Sequence, residues 1–136
     1  MQVSPYLFFN GTCEAAFKFY AQTMGGRIEA MMTHAGTPAE SQVPPEWKDK
    51  VMHARLALGD RIIMASDAPP GMYQTPQGFS ISYGAKDPAD AERVFRALAE
   101  NGTIRMPLEE TFWALRFGMC VDRFGIPWMV NCDRPT

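Results

Sequence analysis

His53 and Arg55 stand two residues apart in the apolar segment Val51 to Leu58, and Cys13 opens a helical segment just after Asn10-Gly11-Thr12. An imidazole moves protons near neutral pH, and a guanidinium grips a carboxylate or phosphate through a planar fork. A thiol in the first turn of a helix has its pKa lowered. These three residues are the catalytic candidates, and each has a plainer alternative. His53 can be a hydrogen-bonded structural histidine, Arg55 can pair with a surface carboxylate, and Cys13 has no evident His partner. Cys132 abuts Asp133, whose charge disfavours a thiolate. His34 stands alone at the head of a long loop. Convergence of His34 and His53 with Asp67, Glu109 or Glu110 would make a non-standard metal site, but no HxH or HxxxE spacing supports it. GxSxG, P-loop and Rossmann fingerprints are absent.

The elements that must position these residues come in two copies. Gly59-Asp60-Arg61-Ile62-Ile63-Met64-Ala65-Ser66-Asp67 aligns without a gap on Gly125-Ile126-Pro127-Trp128-Met129-Val130-Asn131-Cys132-Asp133. In the first half, Pro5 to Asn10 reads as an aromatic strand. A helix follows from Cys13 to Met24, capped by Thr12, with Phe17, Tyr20, Ala21 and Met24 on one buried face. Gly25-Gly26 stops it. Strands at 27–33, 51–58 and 61–66 follow, the last two joined by a hairpin at Gly59-Asp60. Between them, 35–50 holds Gly36, Pro38, Pro44 and Pro45 and reads as a long loop with a helical turn near Trp47. Loops of this length often act as lids or binding loops.

The second half repeats the plan. A strand spans 79–84, and Asp87 caps a helix from Pro88 to Asn101 with Ala91, Val94, Phe95 and Leu98 buried. Strands near 103–108, 116–121 and 127–132 complete it. The chain therefore reads as an α+β protein of one domain: module one at about 1–67, a linker at 68–78, and module two at about 79–136. Two tandem βαβββ modules predict a curved mixed sheet, with helices on the convex face and a cleft on the concave one.

Composition narrows the classes. The 136 residues carry a net charge of −2 with scattered basic side chains, so no nucleic-acid footprint is expected. No apolar run approaches a membrane span, and a secretory leader pattern is absent, so a cytoplasmic protein is expected. Three cysteines without CxxC spacing suit reduced thiols rather than a disulfide framework. Ten methionines serve either as core filler or as the lining of an adaptable apolar pocket.

The duplicated modules, the N-terminal run FFNGTCEAAFKFYAQTMGG and the C-terminal run DRFGIPWMVN resemble the vicinal oxygen chelate superfamily. That superfamily includes glyoxalase I, extradiol dioxygenases and the fosfomycin and bleomycin resistance proteins. Met64-Ala65-Ser66-Asp67, Met106-Pro107-Leu108 and Thr111-Phe112-Trp113 make the PhnB-like branch the closer match. Members of this branch are sometimes labelled ubiquinone-pathway methyltransferases, yet no Gly-rich nucleotide loop occurs in a strand-to-helix turn here. Metal-using members place His on the first strand and Glu on the last strand of each module. The matching positions hold Pro5, Ile63, Phe79 or Ile81, and Met129, none a ligand for a divalent first-row metal.

The resemblance and strand alternation together imply a ligand cleft. Leu7 and Phe9, Ile63 and Ala65, Ile81 and Tyr83, and Met129 and Asn131 would share its face, joined by His53 and Arg55. Met52, Ala54, Leu56 and Leu58 would turn to the helices, and Trp113 would be core or a lid. Phe9, Ile63, Tyr83, Trp113, Met129 and Asn131 are therefore the expected ligand-binding residues. The expectation is a small-molecule-binding protein without metal or cofactor, assembled as a homodimer. A lyase, isomerase or dioxygenase-type enzyme with a displaced metal or acid–base site is the alternative, which leaves a divalent metal open.

Overall fold

A computed structural model describes residues 1–135. The first half contains β1 (Tyr6–Phe9), α1 (Cys13–Met24), β2 (Arg27–Thr33), β3 (Val51–Leu58) and β4 (Arg61–Asp67). The second contains β5 (Ile81–Gly84), α2 (Pro88–Ala99), β6 (Thr103–Glu109), β7 (Ala114–Val121) and β8 (Pro127–Asp133). The strand orders are β1-β4-β3-β2 and β5-β8-β7-β6. In each, the first strand runs parallel to the last and the remaining pairs are antiparallel.

The α+β class and the tandem βαβββ modules are those read from the sequence. The mixed sheet comes as two four-stranded sheets, one per module. The reason lies in β4 and β8. Each pairs with two strands of its own module, so each sheet closes within that module. The chain divides into two compact units, residues 1–74 and 75–136.

Each unit packs its helix on one face of its own sheet. In the first, α1 buries Cys13, Ala16, Phe17, Tyr20 and Thr23, and Phe17 meets Phe9 of β1 edge-on at 6.2 Å. Full burial of such side chains contributes roughly 1.5–3 kcal/mol each. Thr12 occupies the expected cap position but caps nothing with its side chain. The Cys13 amide donates instead to Asp67 Oδ1 at 2.9 Å, and the Val51 amide donates to Asp67 Oδ2 at 2.8 Å. One buried carboxylate at the end of β4 thus fastens the starts of α1 and β3. Gly25, at φ 73°, ends α1 in the left-handed conformation that glycine adopts without a steric penalty.

In the second unit Asp87 caps α2 as expected, accepting the Asp90 amide at 2.7 Å. The buried carboxylate here is Asp122. It accepts the Phe124 and Ile126 amides and the Trp128 indole N–H, which locks the β7–β8 hairpin. The 35–50 loop carries two short 3₁₀ turns, Pro38–Gln42 and Pro45–Trp47, and its ends are tied by Ala35 N–H donating to Lys48 O.

Candidate functional site

Cross-strand register decides which side chains lie on the face away from the helix. In the first unit Tyr6 pairs with Met64, and Met64 pairs with Arg55. The neighbouring row is Leu7, Ala65 and Ala54, and all three are buried. The helix-free face therefore carries Tyr6, Phe8, Ile62, Met64, His53 and Arg55. Leu7, Phe9, Ile63 and Ala65 join Ala54 and Leu56 on the helix side.

This corrects the expected placement of Phe9 and Ile63, which are core residues under α1 rather than lining of the open face. The physical reason is legible afterwards. β1 reads Tyr-Leu-Phe-Phe and has aromatic residues at both parities, so its own sequence does not choose a face. The parallel register with β4 chooses it, through Leu7 opposite Ala65 and Phe9 opposite Asp67. His53 and Arg55 lie where alternation put them, because β3 alternates cleanly around the buried Ala54 and Leu56.

On that face the Tyr6 hydroxyl lies 3.2 Å from His53 Nδ1, with the ring centroids 5.8 Å apart. Phe8 adds a second ring 5.1 Å from Tyr6, and Met32 pairs with His53 from β2. Arg55 Nε donates to Glu29 Oε1 at 3.0 Å, and Arg27 donates to Glu29 Oε2 at 3.1 Å. Hydrogen bonds from Arg27 and Arg55 hold the Glu29 carboxyl below its ordinary range. Three large apolar side chains stay open around these groups: Phe8 is 53% exposed, Met32 46% and Tyr6 39%.

The superfamily's metal-ligand set does not fit this unit. Pro5 precedes β1, Ile63 faces the helix, and the open face offers Tyr6, Phe8, Ile62 and Met64 beside a single imidazole. First-row divalent metals take imidazole and carboxylate ligands in sets of three or four. Nor are the residues of the displaced cluster idle. His34 Nδ1 lies 3.1 Å from Lys50 O, Asp67 accepts two amides, and Glu110 pairs with Arg134 at 2.7 Å.

Cys13 is placed as expected at the helix start, but its thiol is not activated. Burial, then the charges of Asp67 and Glu14, push its pKa far above the ordinary value. The carboxylate that caps α1 cancels the effect of the helix N-terminus. Cys120 is likewise raised to about 11 by burial and Asp122.

In the second unit Ile81 pairs with Trp128 and Tyr83 with Val130, and both β8 partners are buried toward α2. Tyr83 therefore lies on the helix side, contrary to expectation. Its hydroxyl donates to Asp90 Oδ2 at 2.8 Å, and burial with that hydrogen bond raises its pKa to about 12. Met129 and Asn131 do share the helix-free face, together with Met119 and Phe117 opposite them on β7. Trp113 joins that group through Phe117, 5.5 Å away centroid to centroid. The Asn131 amide nitrogen donates to Asp133 Oδ1.

Sequence reasoning missed Tyr6, Phe8, Met64 and Glu29. The first three were available from the correct β1–β4 register. Glu29 sits in an irregular stretch where the β2–β3 register shifts between Ile28 and Ala30, and no local residue pattern marks that shift.

Two tandem βαβββ units, each with a helix on one face of its own sheet, are the fold expected from the resemblance to the vicinal oxygen chelate superfamily. Fosfomycin resistance and glyoxalase/bleomycin resistance proteins share the fold. Residues 1–131 match the family model described as 3-demethylubiquinone-9 3-methyltransferase, and the chain belongs to that PhnB-like family. Protein YjdN of Escherichia coli K12 is 34% identical, covering 100% of this chain and 99% of its own. The crystal structure of PA1353 from Pseudomonas aeruginosa superposes with a TM-score of 0.90 at 50% identity, over 99% of both chains. A PhnB protein from Bacillus cereus, titled a putative 3-demethylubiquinone-9 3-methyltransferase, has a TM-score of 0.84 at 22% identity, over 97% of this chain and 99% of its own.

Proposed function

We propose that the protein binds a small, partly apolar molecule on a helix-free sheet face, without a resident metal. The observation that carries this is the Tyr6–His53 contact beside the exposed Phe8 and Met32, with the half-buried Met64 between the strands. An apolar lining with a few placed polar groups is the usual make-up of a small-molecule site, and methionine adapts such a lining to its ligand. The methyltransferase description of the family finds no support at the β1–α1 turn. There the helix N-terminus, where a nucleotide-type ligand would sit, is already taken by Asp67.

An acid–base enzyme of lyase, isomerase or dioxygenase type is the second reading. The Tyr6 hydroxyl fixes His53 through Nδ1, and Nε2 has no hydrogen-bond partner among the described residues. A group held this way can exchange a proton with a bound molecule. We also propose that the protein is a homodimer, on the strength of the exposed Phe112–Trp113 pair in the second unit.

Two-dimensional amide NMR during titration with aromatic and aliphatic fragments tests the binding reading. Shifts should cluster on Tyr6, His53, Arg55 and Met64. Saturating fragments of every class without shifts there would end it. Turnover of any bound molecule that vanishes in His53→Ala would favour the enzyme instead.

A further inference from the structure

The groups beside Tyr6 and His53 specify more than an apolar ligand. Glu29 accepts from both Arg27 and Arg55, so two guanidiniums face one carboxylate and one positive charge is left over. This stands out in a chain of net charge −2. The irregularity at Glu29 is what brings its carboxylate to Arg55 across β2 and β3. Glu29 accepts from Nε of Arg55, and among the described residues the hydrogen-bond partner of Nη1 is the weak acceptor Met64 Sδ at 4.0 Å. The terminal edge of the fork is left for a further acceptor, and that edge matches a planar two-oxygen anion.

The apolar part of the site starts where the guanidinium ends. Tyr6, Met64 and Arg55 occupy one row across three adjacent strands. With strands ~4.8 Å apart, the row from Arg55 to Tyr6 spans about 10 Å, the length of a two-ring aromatic acid. Beyond Arg55 the same row ends in the small side chain of Ala30. At the other end the Tyr6 and Phe8 rings, 5.1 Å apart, offer a surface for a flat body.

We infer, resting on the binding reading above, that the ligand of this face is a flat aromatic or conjugated molecule bearing an anionic oxygen group held by Arg55. Its body lies along Met64 toward Tyr6 and Phe8. His53 supplies a further polar contact beside the rings. Glu29 tunes the site by holding Arg55 in position while neutralising part of the local charge.

The test uses three matched probes on the full chain: naphthoate, naphthyl phosphate and the neutral naphthamide, with binding followed by amide NMR and calorimetry. Naphthoate should bind about tenfold more tightly than naphthamide, the ratio a single charge-assisted hydrogen bond provides. Arg55→Gln should erase that preference. Glu29→Gln, which removes the negative charge beside Arg55, should tighten naphthoate severalfold, and it decides the matter if Arg55→Gln does not fold. A stronger response to naphthyl phosphate than to naphthoate supports the inference and makes the head group a phosphate. Equal affinity for naphthoate and naphthamide, or no tightening in Glu29→Gln, would overturn it and leave the small-molecule reading standing. Failure of all three probes to shift Tyr6, His53 or Arg55 would overturn both.

Discussion

Asp67 Oδ1 lies 2.9 Å from the backbone nitrogen of Cys13, and the same carboxylate takes the Val51 amide through its other oxygen. Asp67 is only 5% exposed, so its removal strands two N–H donors away from water. Asp67→Ala should destabilise the protein by about 3 kcal/mol, the scale set by unsatisfied buried donors and lost bonds to a charged acceptor. Urea unfolding followed by circular dichroism measures this. A loss under 1 kcal/mol would mean that the carboxylate is not the fastening point of α1 and β3.

The same geometry bears on Cys13. A buried thiol beside a carboxylate stays protonated and shielded. In native protein near neutral pH, a disulfide-exchange reagent should modify Cys13 only at the rate of unfolding. Fast labelling of Cys13 in the folded state would restore it as a nucleophile candidate.

Tyr83 and Asp90 give a prediction in alkaline solution. The Tyr83 pKa rises from 10.0 to about 12, by burial first and the Asp90 hydrogen bond second. Below pH 10 the folded and unfolded chains both hold this proton, whereas between pH 10 and about 12 only the folded chain does. The stabilisation is therefore complete below pH 10 and is lost as pH rises through the window. Ultraviolet titration should show one phenol ionising near pH 12 that disappears in Tyr83→Phe. Because Tyr83 faces α2, the same variant should leave ligand binding on the first unit's open face unchanged.

How far the sequence could be read follows from these residues. The helices and hairpins were legible because local signals agree: Asp87-Pro88 opens α2, Gly25 closes α1, and Gly59-Asp60 turns β3 into β4. The duplicated strand order was legible because Gly59–Asp67 and Gly125–Asp133 carry the same pattern. What misled was parity on the strands with large apolar residues at both parities. Phe8 and Phe9 are equally apolar, yet one is open and the other fully buried. Only the pairing partner separates them, and pairing is a long-range property. Tyr83 misled for a related reason, since its polar hydroxyl finds Asp90 beneath the helix rather than the open face. The parity of His53 and Arg55 against Ala54 and Leu56 was legible because β3 alternates around small or aliphatic buried residues, although the partners expected on their face, Phe9 and Ile63, lie on the other.

Trp47 supplies a test of a different kind. Its indole N–H is shielded from water and has no acceptor among the described residues, while Lys50 Nζ lies 5.8 Å from the ring centroid. A buried donor without a partner opposes folding by about 1–3 kcal/mol. Trp47→Phe keeps a ring and deletes the donor, so thermal unfolding should show a stability equal to or above that of the parent. A large loss would mean that the N–H is satisfied in solution, by water or by rearrangement of the loop.

Gly118 is fixed by packing rather than by backbone conformation. A Cβ there would come within 2.9 Å of both Leu108 Cα and Phe95 Cε1. The first is backbone of β6 and the second a ring under α2, so neither yields cheaply. Gly118→Ala should lower stability by about 1–3 kcal/mol, the range for overpacking a core. A neutral substitution would mean that β6 moves away from β7 more easily than the pairing implies.

Self-association turns on the aromatic surface of the second unit. Phe112 is 89% exposed and meets Trp113 at 4.9 Å, and Trp113 in turn meets Phe117. Two adjoining exposed rings, backed by the half-buried Phe117, are an unusual surface for an isolated chain in water. Burial by a second copy would recover about 25 cal/mol for each Å² of apolar area removed from solvent. Light scattering on the eluting protein should therefore give twice the 15.2 kDa chain mass. Phe112→Asp should shift the population to single chains while the far-ultraviolet spectrum stays unchanged, since Phe112 supports no core contact at that exposure. A parent protein already at 15.2 kDa at high concentration would remove the homodimer, and the rings would then be examined as a second ligand surface.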